Sequence, residues 1–393
     1  MSAFERLVGQ ERVVDQLQAA ALAADLLVRG EQVAAGQMTH AWLFTGPPGS
    51  GRSVAARAFA AALQCPLAGC GGCEDCAQAL GGTHPDVSLV VPQGLSLGVE
   101  EVRAIVEHSH RSPVRGRWLV TVIEDADRMP DYASNAMLKA IEEPPPRGVL
   151  LLCAPSVEDV LPTIRSRCRL VALRTPPVEA VAQVLVHRDG VDPAMAAFAA
   201  RAAQGHIGRA KRLATDEAAR RERADVLALP RSLSGVAAAL VAAKDLVEAA
   251  KDEAVLLTGS RDAAERESLD QALGVGATGK GVTGAAARGG AGARKELERR
   301  QKSRGTRSQR DALDRALVDL AAFYRDVLVV QLGASVGPVH ADLGAQAAVI
   351  ARATTPESTL RRIDSVLACR QSLDLNVAPL LAVEAMALAL RTG

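Results

Sequence analysis

The chain has 393 residues, which is enough for two or three domains with sizeable cores. Lys and Arg (46) nearly balance Asp and Glu (45), so a net charge of +1 excludes binding of nucleic acid through overall charge and leaves only a local basic patch for that role. There is no signal-peptide pattern and no apolar run long enough to span a bilayer, so the sequence predicts a cytoplasmic protein without a membrane partner.

A glycine-rich loop lies between a predicted strand and a predicted helix. Residues 41–45 form an apolar run, and residues 54–63 are rich in alanine. The loop fits the pattern G-x-x-x-x-G-K-[ST] except at one position. Its residues are Gly46, Pro47, Pro48, Gly49, Ser50, Gly51, Arg52 and Ser53. We predict a nucleotide site in which backbone N–H groups surround phosphate and Ser53 binds Mg²⁺; the alternative is a turn without a ligand.

Arg52 stands where this pattern requires lysine. Lysine is a compact point charge that fits between β- and γ-phosphates, whereas arginine is longer, planar and forked. Arginine can pair with phosphate, but not in the same place. We therefore expect the substitution to harm ATP hydrolysis more than nucleotide binding.

Four of the seven cysteines lie together in a glycine-rich segment after this helix. Their spacing is C-x4-C-x2-C-x2-C, formed by Cys65, Cys70, Cys73 and Cys76. Four thiolates complete a tetrahedral shell and leave no open position, so the pattern predicts a structural zinc site, with an iron–sulfur cluster as the alternative. His84 is assigned to a turn before the next strand rather than to the metal.

Two acidic residues follow the apolar run at residues 118–123. Acids at the carboxyl end of a strand beside a phosphate loop commonly hold Mg²⁺ and orient a water molecule. The usual order is Asp then Glu, but here Glu124 precedes Asp125. Glu124 would reach a metal differently, and Asp125 is one methylene short for polarising water. The alternative is a solvated acidic turn that caps the next helix.

Further elements follow these acids. A predicted helix over residues 129–143 ends at three prolines, and an apolar strand covers residues 149–154. The triplet Ser166-Arg167-Cys168 comes after that strand. Residues 178–215 have the pattern of short helices, and the chain beyond about residue 225 has helical spacing of apolar residues.

Together these motifs resemble the bacterial clamp-loader subunits of DNA polymerase III, which are AAA+ proteins, and among them the delta-prime family. The resemblance covers about residues 1–215. The matching segments are the phosphate loop, the four-cysteine insert, Thr83-His84-Pro85-Asp86, Ala126-Asp127-Arg128-Met129, residues 135–144 and Ser166-Arg167-Cys168.

This resemblance implies an α/β fold. An AAA+ P-loop parallel sheet with helices on both faces is followed by a small helical lid and an all-helical C-terminal collar domain. The implied boundaries are 1–177 for the AAA+ core with its zinc-binding insert, 178–220 for the lid, and 221–393 for the collar with a Gly-rich and basic insertion at 273–310.

The resemblance also implies roles for three residues outside the loop. Val8 belongs to a segment similar to the family's N-terminal box near the adenine, and Arg209 is similar to the sensor-2 arginine of the lid. Arg167 resembles an arginine finger that reaches into a neighbouring subunit's ATP site, where a cation supplied in trans stabilises the γ-phosphate during transfer. For Arg167, the alternative is an ordinary surface arginine.

The partners implied by the resemblance are the gamma/tau and delta subunits of a hetero-oligomer, the sliding clamp, and primed DNA reached through the assembled complex. Structural zinc is the implied cofactor. The resemblance implies no polymerase activity for this chain.

The chain departs from the family's ATPase subunits at three places in one site. These are Arg52, the pair Glu124-Asp125, and Ala154-Pro155 where a polar sensor residue would lie. Because phosphoryl transfer depends on positioning and charge, these changes predict weak or no ATP hydrolysis and leave binding of ATP and Mg²⁺ open. The resemblance then implies a stator that completes a neighbour's site. The alternatives are an active gamma/tau-type ATPase, which the lack of a long low-complexity tail disfavours, and a switch that binds ATP without hydrolysing it.

The insertion at 273–310 has two compositions in succession. Residues 273–293 are rich in glycine, which predicts a flexible linker. Residues 294–310 are dense in Lys and Arg, with Glu296 and Glu298 between them. The basic part is interpreted as a solvated helix face, with contact to DNA phosphates as the alternative.

Overall fold

The computed structural model describes residues 2–115, 117–273 and 284–393. The chain forms two compact units, one made of Met1–Pro92 and Ser96–Ala214 and the other of Gln93–Leu95 and Thr215–Gly393. The finer division at residues 177 and 220 stays a prediction. Among the described residues, no helix combines the length and apolarity needed to cross a membrane.

A five-stranded parallel sheet forms the centre of the first unit. Its strands are β1 (Ala41–Thr45), β2 (Val87–Val90), β3 (Leu119–Ile123), β4 (Gly148–Ala154) and β5 (Arg169–Ala172). They lie in the order β2-β3-β4-β1-β5, so β1 is flanked by β4 and β5. Strands β1, β3 and β4 are buried along their whole length, which is why they appear in the sequence as continuous apolar runs.

Helices cover both faces of this sheet. The first unit contains α1 (Glu11–Val28), α2 (Arg52–Gln64), α3 (Glu74–Gly81), α4 (Val99–Ser109), α5 (Asp131–Glu142), α6 (Pro162–Arg165), α7 (Val178–Asp189), α8 (Pro193–Ala202) and α9 (Ile207–Thr215). Trp42 and Phe44 of β1 pack on the side of α1 and α2, whereas Leu43 packs on the side of α4 and α5. The alanines of α2 let it approach the sheet closely, and Phe59 meets Trp42 edge to face at 4.8 Å.

The described part of the second unit is helical apart from short connections. Its helices are α10 (Glu217–Ser232), α11 (Val236–Ala272), α12 (Gly284–Leu332), α13 (Gly344–Ala353), α14 (Pro356–Asp374) and α15 (Pro379–Thr392), and a 3₁₀ turn covers Ala341–Leu343. Leu313, Leu317 and Leu320 of α12 form the centre of its core with residues of α11, α14 and α15. The predicted fold class, a parallel P-loop sheet followed by a C-terminal helical region, is confirmed.

The predicted flexible linker is wrong for residues 284–293, because α12 begins at Gly284; residues 274–283 lie outside the described residues. Tertiary contacts outweigh the low helix propensity of glycine in this segment. Gly290 is buried, and a Cβ at this position would lie 3.3 Å from Leu273 Cδ1 at the end of α11.

Ion pairs connect α11 and α12 along the insertion. Arg294 pairs with Asp270 at 2.9 Å, and Arg304 pairs with Asp262 at 3.1 Å and with Glu265 at 2.7 Å. Rising numbers on α12 meet falling numbers on α11, so the two helices form an antiparallel hairpin. The hydrogen bond from Arg304 lowers the pKa of Glu265 to about 2. Part of the basic segment therefore neutralises acids of α11, and contact of this segment with DNA phosphates stays the untested alternative.

A buried polar cluster holds the segment before α13. His340, with 1% of its surface exposed, accepts a hydrogen bond from Arg223 of α10 at Nδ1 (2.7 Å) and donates from Nε2 to the carbonyl oxygen of Asp319 (3.1 Å). Asp326 accepts from the His340 backbone N–H at 2.7 Å, and Arg223 also reaches Asp342 at 3.4 Å. Burial, and then the charge of Arg223, lower the pKa of His340 below its usual 6.5.

This lowered pKa predicts a loss of stability in acid. Well above pH 6.5, His340 is neutral in both the folded and the unfolded chain, and its contribution to stability is complete. As the pH falls through 6.5, His340 gains a proton in the unfolded chain but stays neutral in the folded chain. The unfolded state is therefore favoured, and the unfolding temperature falls. His340→Gln should flatten this dependence in a pH series of thermal melts, whereas the exposed control His110→Gln should not. An equal loss in the His340→Gln protein would contradict this role.

Candidate nucleotide and metal sites

The glycine-rich loop connects the carboxyl end of β1 to the first residue of α2. Gly46, Gly49 and Gly51 have φ of 152°, 86° and 92°, which side chains rarely adopt. A Cβ at Gly46 would lie 2.6 Å from the carbonyl oxygen of Leu173, so the backbone at this point requires glycine. The strand, loop and helix predicted from the sequence are therefore all present, with the helix N-terminus at the loop.

Two contacts hold the ends of this loop. Gln10 donates from Nε2 to the carbonyl oxygens of Arg174 (2.5 Å) and Ser50 (3.4 Å), which ties the segment after Val8 to the loop and to the chain after β5. The N–H of Gly46 donates to the carbonyl oxygen of Pro155 at 3.2 Å. The position predicted for a polar sensor thus contributes a backbone acceptor that fixes the start of the loop.

The Arg52 side chain turns back onto its own loop. Its Nη1 donates to the carbonyl oxygen of Gly46. Ser50 behaves differently: its side chain has 2% of its surface exposed, and its Oγ has no hydrogen-bond partner among the described residues. The Arg52 guanidinium is therefore hydrogen-bonded within its own loop, whereas the buried Ser50 hydroxyl has no partner among the described residues.

An open cavity of about 700 Å³ adjoins the loop. Its wall includes Val8 and the segment 48–54, so the structure brings the predicted N-terminal box to the loop. The charged residues of the wall are Arg6, Arg52, Arg188, Asp189 and Lys211. Asp189 pairs with Lys211 at 2.7 Å and with Arg188 at 3.0 Å, and the hydrogen bonds from these two cations lower its pKa.

The start of α9 closes one side of this cavity. Within the described part of the chain, His206, Ile207, Gly208 and Lys211 form this wall, and Arg209 does not. The assignment of Arg209 to the sensor-2 position stays a prediction. Lys211 is not among the site residues predicted from the sequence, because it lies two residues after Arg209, where the resemblance to the family's lid motif ends.

His206 packs directly on the loop, so Gly49→Ala should destabilise the chain. A Cβ at Gly49 would lie 2.7 Å from His206 Cβ and 2.8 Å from its Cα. The left-handed backbone alone costs about 1–2 kcal/mol with a side chain, and the overlap adds about 1–3 kcal/mol. Gly30→Ala is the matched control, because Gly30 has φ of 80° and nothing within 4 Å of its Cβ position. Equal unfolding temperatures of the two variants would contradict the close contact.

The two acids at the end of β3 are engaged by arginines. Glu124 Oε1 accepts from Arg57 Nη2 at 2.7 Å and from Arg57 Nε at 3.1 Å. Asp125 has φ of 50° and lies 3.8 Å from Nε of Arg128. Arg57 is not among the site residues predicted from the sequence, although it lies four residues after Ser53 and so shares a face of α2 with it.

Arg167 lies on the surface just after α6. Its Nη2 pairs with Glu142 at 2.8 Å, and its Nη1 donates to the carbonyl oxygen of Thr163 at 2.9 Å. Both charged side chains are about half exposed, at 42% for Arg167 and 48% for Glu142. An exposed pair of this kind contributes about 0–1 kcal/mol, so the guanidinium is held weakly.

The four predicted metal ligands lie together. The Sγ atoms of Cys65, Cys70, Cys73 and Cys76 are all within 4.8 Å of one another, and those of Cys65 and Cys73 are 3.7 Å apart. Tetrahedral zinc with bonds of ~2.3 Å requires sulfur atoms ~3.8 Å apart. The donor set therefore fits a tetrahedral metal ion.

Backbone groups support these thiolates. The N–H groups of Leu67 and Cys70 donate to Cys65 Sγ at 3.3 and 3.4 Å, and that of Cys76 donates to Cys73 Sγ at 3.4 Å. Backbone hydrogen bonds lower the pKa of Cys70 to about 7, whereas burial raises those of Cys73 and Cys76. A divalent cation would offset this burial penalty.

His84 lies outside the cysteine cluster and has a structural position. Its Nδ1 accepts from the N–H of Asp86, and its Nε2 lies 3.4 Å from Asp75 of α3. Asp86 in turn accepts from the N–H groups of Val114 and Arg115 at 2.5 and 2.8 Å. The segment 83–86 thus forms the turn before β2, as the sequence predicts.

Comparison with known proteins adds to this geometry. Residues 23–177 match the family described as "DNA polymerase III, delta subunit". A 138-residue segment is 38% identical to the delta-prime subunit of DNA polymerase III from Pseudomonas aeruginosa, covering 34% of this chain and 42% of that protein. The chain is related to the DNA polymerase III clamp-loader subunits of the AAA+ family. The family resemblance seen in the sequence is confirmed.

A gamma/tau subunit also matches, at an identity similar to that of the delta-prime subunit. The gamma/tau subunit of DNA polymerase III from Mycobacterium tuberculosis is 33% identical over 171 residues, which cover 42% of this chain and 28% of that protein. The matched segments thus span less than half of either relative. A solved gamma subunit-related protein from Thermotoga maritima aligns over 95% of this chain and 99% of its own, at 15% identity and a TM-score of 0.39.

Proposed function

We infer that the chain is a delta-prime-type subunit of a DNA polymerase III clamp loader. It helps to load a sliding clamp onto primed DNA, supplies Arg167 to the ATP site of a neighbouring gamma/tau-type subunit, and hydrolyses little or no ATP itself. Its partners are the gamma/tau and delta subunits of a hetero-oligomer. It contributes no polymerase activity.

The observation that carries this proposal is the position of Arg52. A working loop places a lysine ammonium between the β- and γ-phosphates, where it stabilises charge during transfer. Here the guanidinium instead hydrogen-bonds the carbonyl oxygen of Gly46 within the same loop. Transfer depends on such positioning, so a cation directed at its own loop supports a subunit without useful turnover.

The position of Arg167 supports a role in trans. The side chain is exposed and its ion pair with Glu142 is weak, so little free energy is lost when it turns toward a neighbour's phosphate. A buried or strongly bonded arginine could not serve another subunit in this way.

Zinc is the proposed cofactor of the four-cysteine insert. Cys65, Cys70, Cys73 and Cys76 would hold it, and the bound ion would fix the segment between α2 and α3. With four thiolates bound, no coordination position remains for a substrate, so its role is structural.

A gamma/tau-type ATPase is the second candidate, favoured by the relative from Mycobacterium tuberculosis. Reconstitution with gamma/tau and delta subunits distinguishes the two. The proposal predicts that the isolated chain shows no ATP turnover above background, and that clamp loading on primed DNA is lost when the chain is left out. Turnover by the isolated chain at the rate of the gamma/tau subunit would refute the proposal.

A further inference from the structure

The acid expected to hold a magnesium ion beside the loop is already engaged by an arginine. At a phosphate loop, Mg²⁺ is held by the loop's Ser or Thr and by the acid at the end of a neighbouring strand. Ser53 and Glu124 occupy these positions. However, Oε1 of Glu124 accepts two hydrogen bonds from Arg57, and the Glu124 side chain is 15% exposed. A metal ion at this oxygen would have to displace the guanidinium.

The arginine that binds Glu124 comes from α2, the helix that also carries Ser53. Arg57 follows Ser53 by one helical turn and lies on the same face of α2. Glutamate is one methylene longer than the aspartate usual at this position, which extends its carboxylate toward α2. Arg57 and Glu124 thus form a charge pair in the region where a metal ion would otherwise neutralise the acid.

The cavity beside the loop is strongly cationic. Four cations and one carboxylate line it, so its formal net charge is +3 with His206 neutral. The buried Oγ of Ser50, which lacks a partner among the described residues, belongs to the same wall. The helix N-terminus, the cations and the unsatisfied hydroxyl together favour a polyanion.

We propose that this loop binds the polyphosphate of a nucleoside triphosphate without a divalent metal ion. The inference rests on the proposed function, in which the chain itself hydrolyses little or no ATP. Arg57 replaces the metal in neutralising Glu124. Arg6, Arg188 and Lys211 supply the positive charge that Mg²⁺ brings to other phosphate loops, and Arg52, whose guanidinium is hydrogen-bonded to the Gly46 carbonyl oxygen, adds to it only at longer range.

Equilibrium dialysis of the full chain with labelled ATP tests this proposal, once with excess magnesium chloride and once with EDTA. Affinity in EDTA should equal or exceed affinity in excess magnesium, because magnesium binds the ATP phosphates and makes no bond to the protein. Tripolyphosphate is the competitor that removes the base and ribose. It should compete more weakly than unlabelled ATP, and equal competition would overturn the nucleotide assignment.

Arg57→Ala should create a dependence on magnesium, because it frees Glu124 to repel bare ATP and to bind the metal. We expect affinity in EDTA to fall by about tenfold or more relative to affinity in magnesium. Arg57→Lys keeps a positive charge beside Glu124 and should retain metal-free binding. This variant provides the test if Arg57→Ala does not fold. Arg29→Ala is the control, since it removes a 2.6 Å ion pair with Asp25 away from the cavity.

Each outcome separates this inference from the proposed function. Binding by the unaltered chain that requires magnesium would overturn the inference, as would no ATP binding in either buffer, while the proposed function would stand in both cases. ATP turnover by the isolated chain would instead overturn the proposed function.

Discussion

Arg167→Ala should reduce ATP turnover at the neighbouring site of a reconstituted clamp loader by about 10³–10⁵-fold, the usual effect of losing an arginine finger. The reason is that a guanidinium supplied in trans stabilises charge on the γ-phosphate in the transition state. Arg167 is suited to this role because it ends an exposed segment after α6 and is held only by weak surface contacts. Assembly should be unaffected, since the removed ion pair contributes little to stability.

The measurement requires a clamp loader in which the ATP site that Arg167 is proposed to reach is the one site that still hydrolyses ATP. Substituting the loop lysine in the other ATPase subunits achieves this, and single-turnover kinetics then report on the remaining site. Arg165→Ala is the matched control, because Arg165 is also exposed and lies two residues earlier on α6. Equal turnover in the Arg167→Ala and Arg165→Ala complexes would show that Arg167 is an ordinary surface arginine.

Cys73→Ser should abolish zinc binding and strongly destabilise the segment between α2 and α3. Structural zinc in small sites contributes an apparent binding free energy on the order of 10 kcal/mol, and the loss of one thiolate leaves the others with an incomplete shell. Cys73 also caps α3, since its Sγ accepts from the N–H of Cys76. The variant therefore loses a metal ligand and weakens a helix N-terminus at once.

Metal analysis and thermal melts of the purified chain test this. We expect about one zinc per chain in the unaltered protein, near none in Cys73→Ser, and a lower unfolding temperature after treatment with a chelator. Cys168→Ala is the control: burial raises the pKa of its thiol to about 12, and it lies outside the cysteine cluster. Iron with an absorbing cluster would point to the iron–sulfur alternative, and a chain without metal would contradict both.

Features that depend on local sequence could be predicted. The strand before the loop is observed at the predicted residues 41–45, because a buried parallel strand is a continuous apolar run. The four cysteines are close together because glycines and short spacings bring them there. The three helices at 178–189, 193–202 and 207–215 fall within the region of short helices predicted from the sequence.

Features that depend on contacts distant in sequence could not be predicted. Arg57 and Glu124 are separated by 67 residues, and no local pattern indicates that a helix arginine would neutralise the acid. The composition of the glycine-rich segment predicts a linker, whereas residues 284–293 begin α12, and Arg294, the next residue of that helix, pairs with Asp270 of α11. Propensity is a weak guide where tertiary contacts decide.

In the proposed function, Arg167 of this chain acts on a neighbour's ATP, and this chain hydrolyses little or no ATP of its own. Disabling its own loop with Ser53→Ala in the reconstituted loader tests that claim most directly. Steady-state ATP turnover should match that of the unaltered complex, because no hydrolysis by this chain is lost. A fall in turnover by the share of one ATPase subunit would contradict the claim and identify the chain as a working motor.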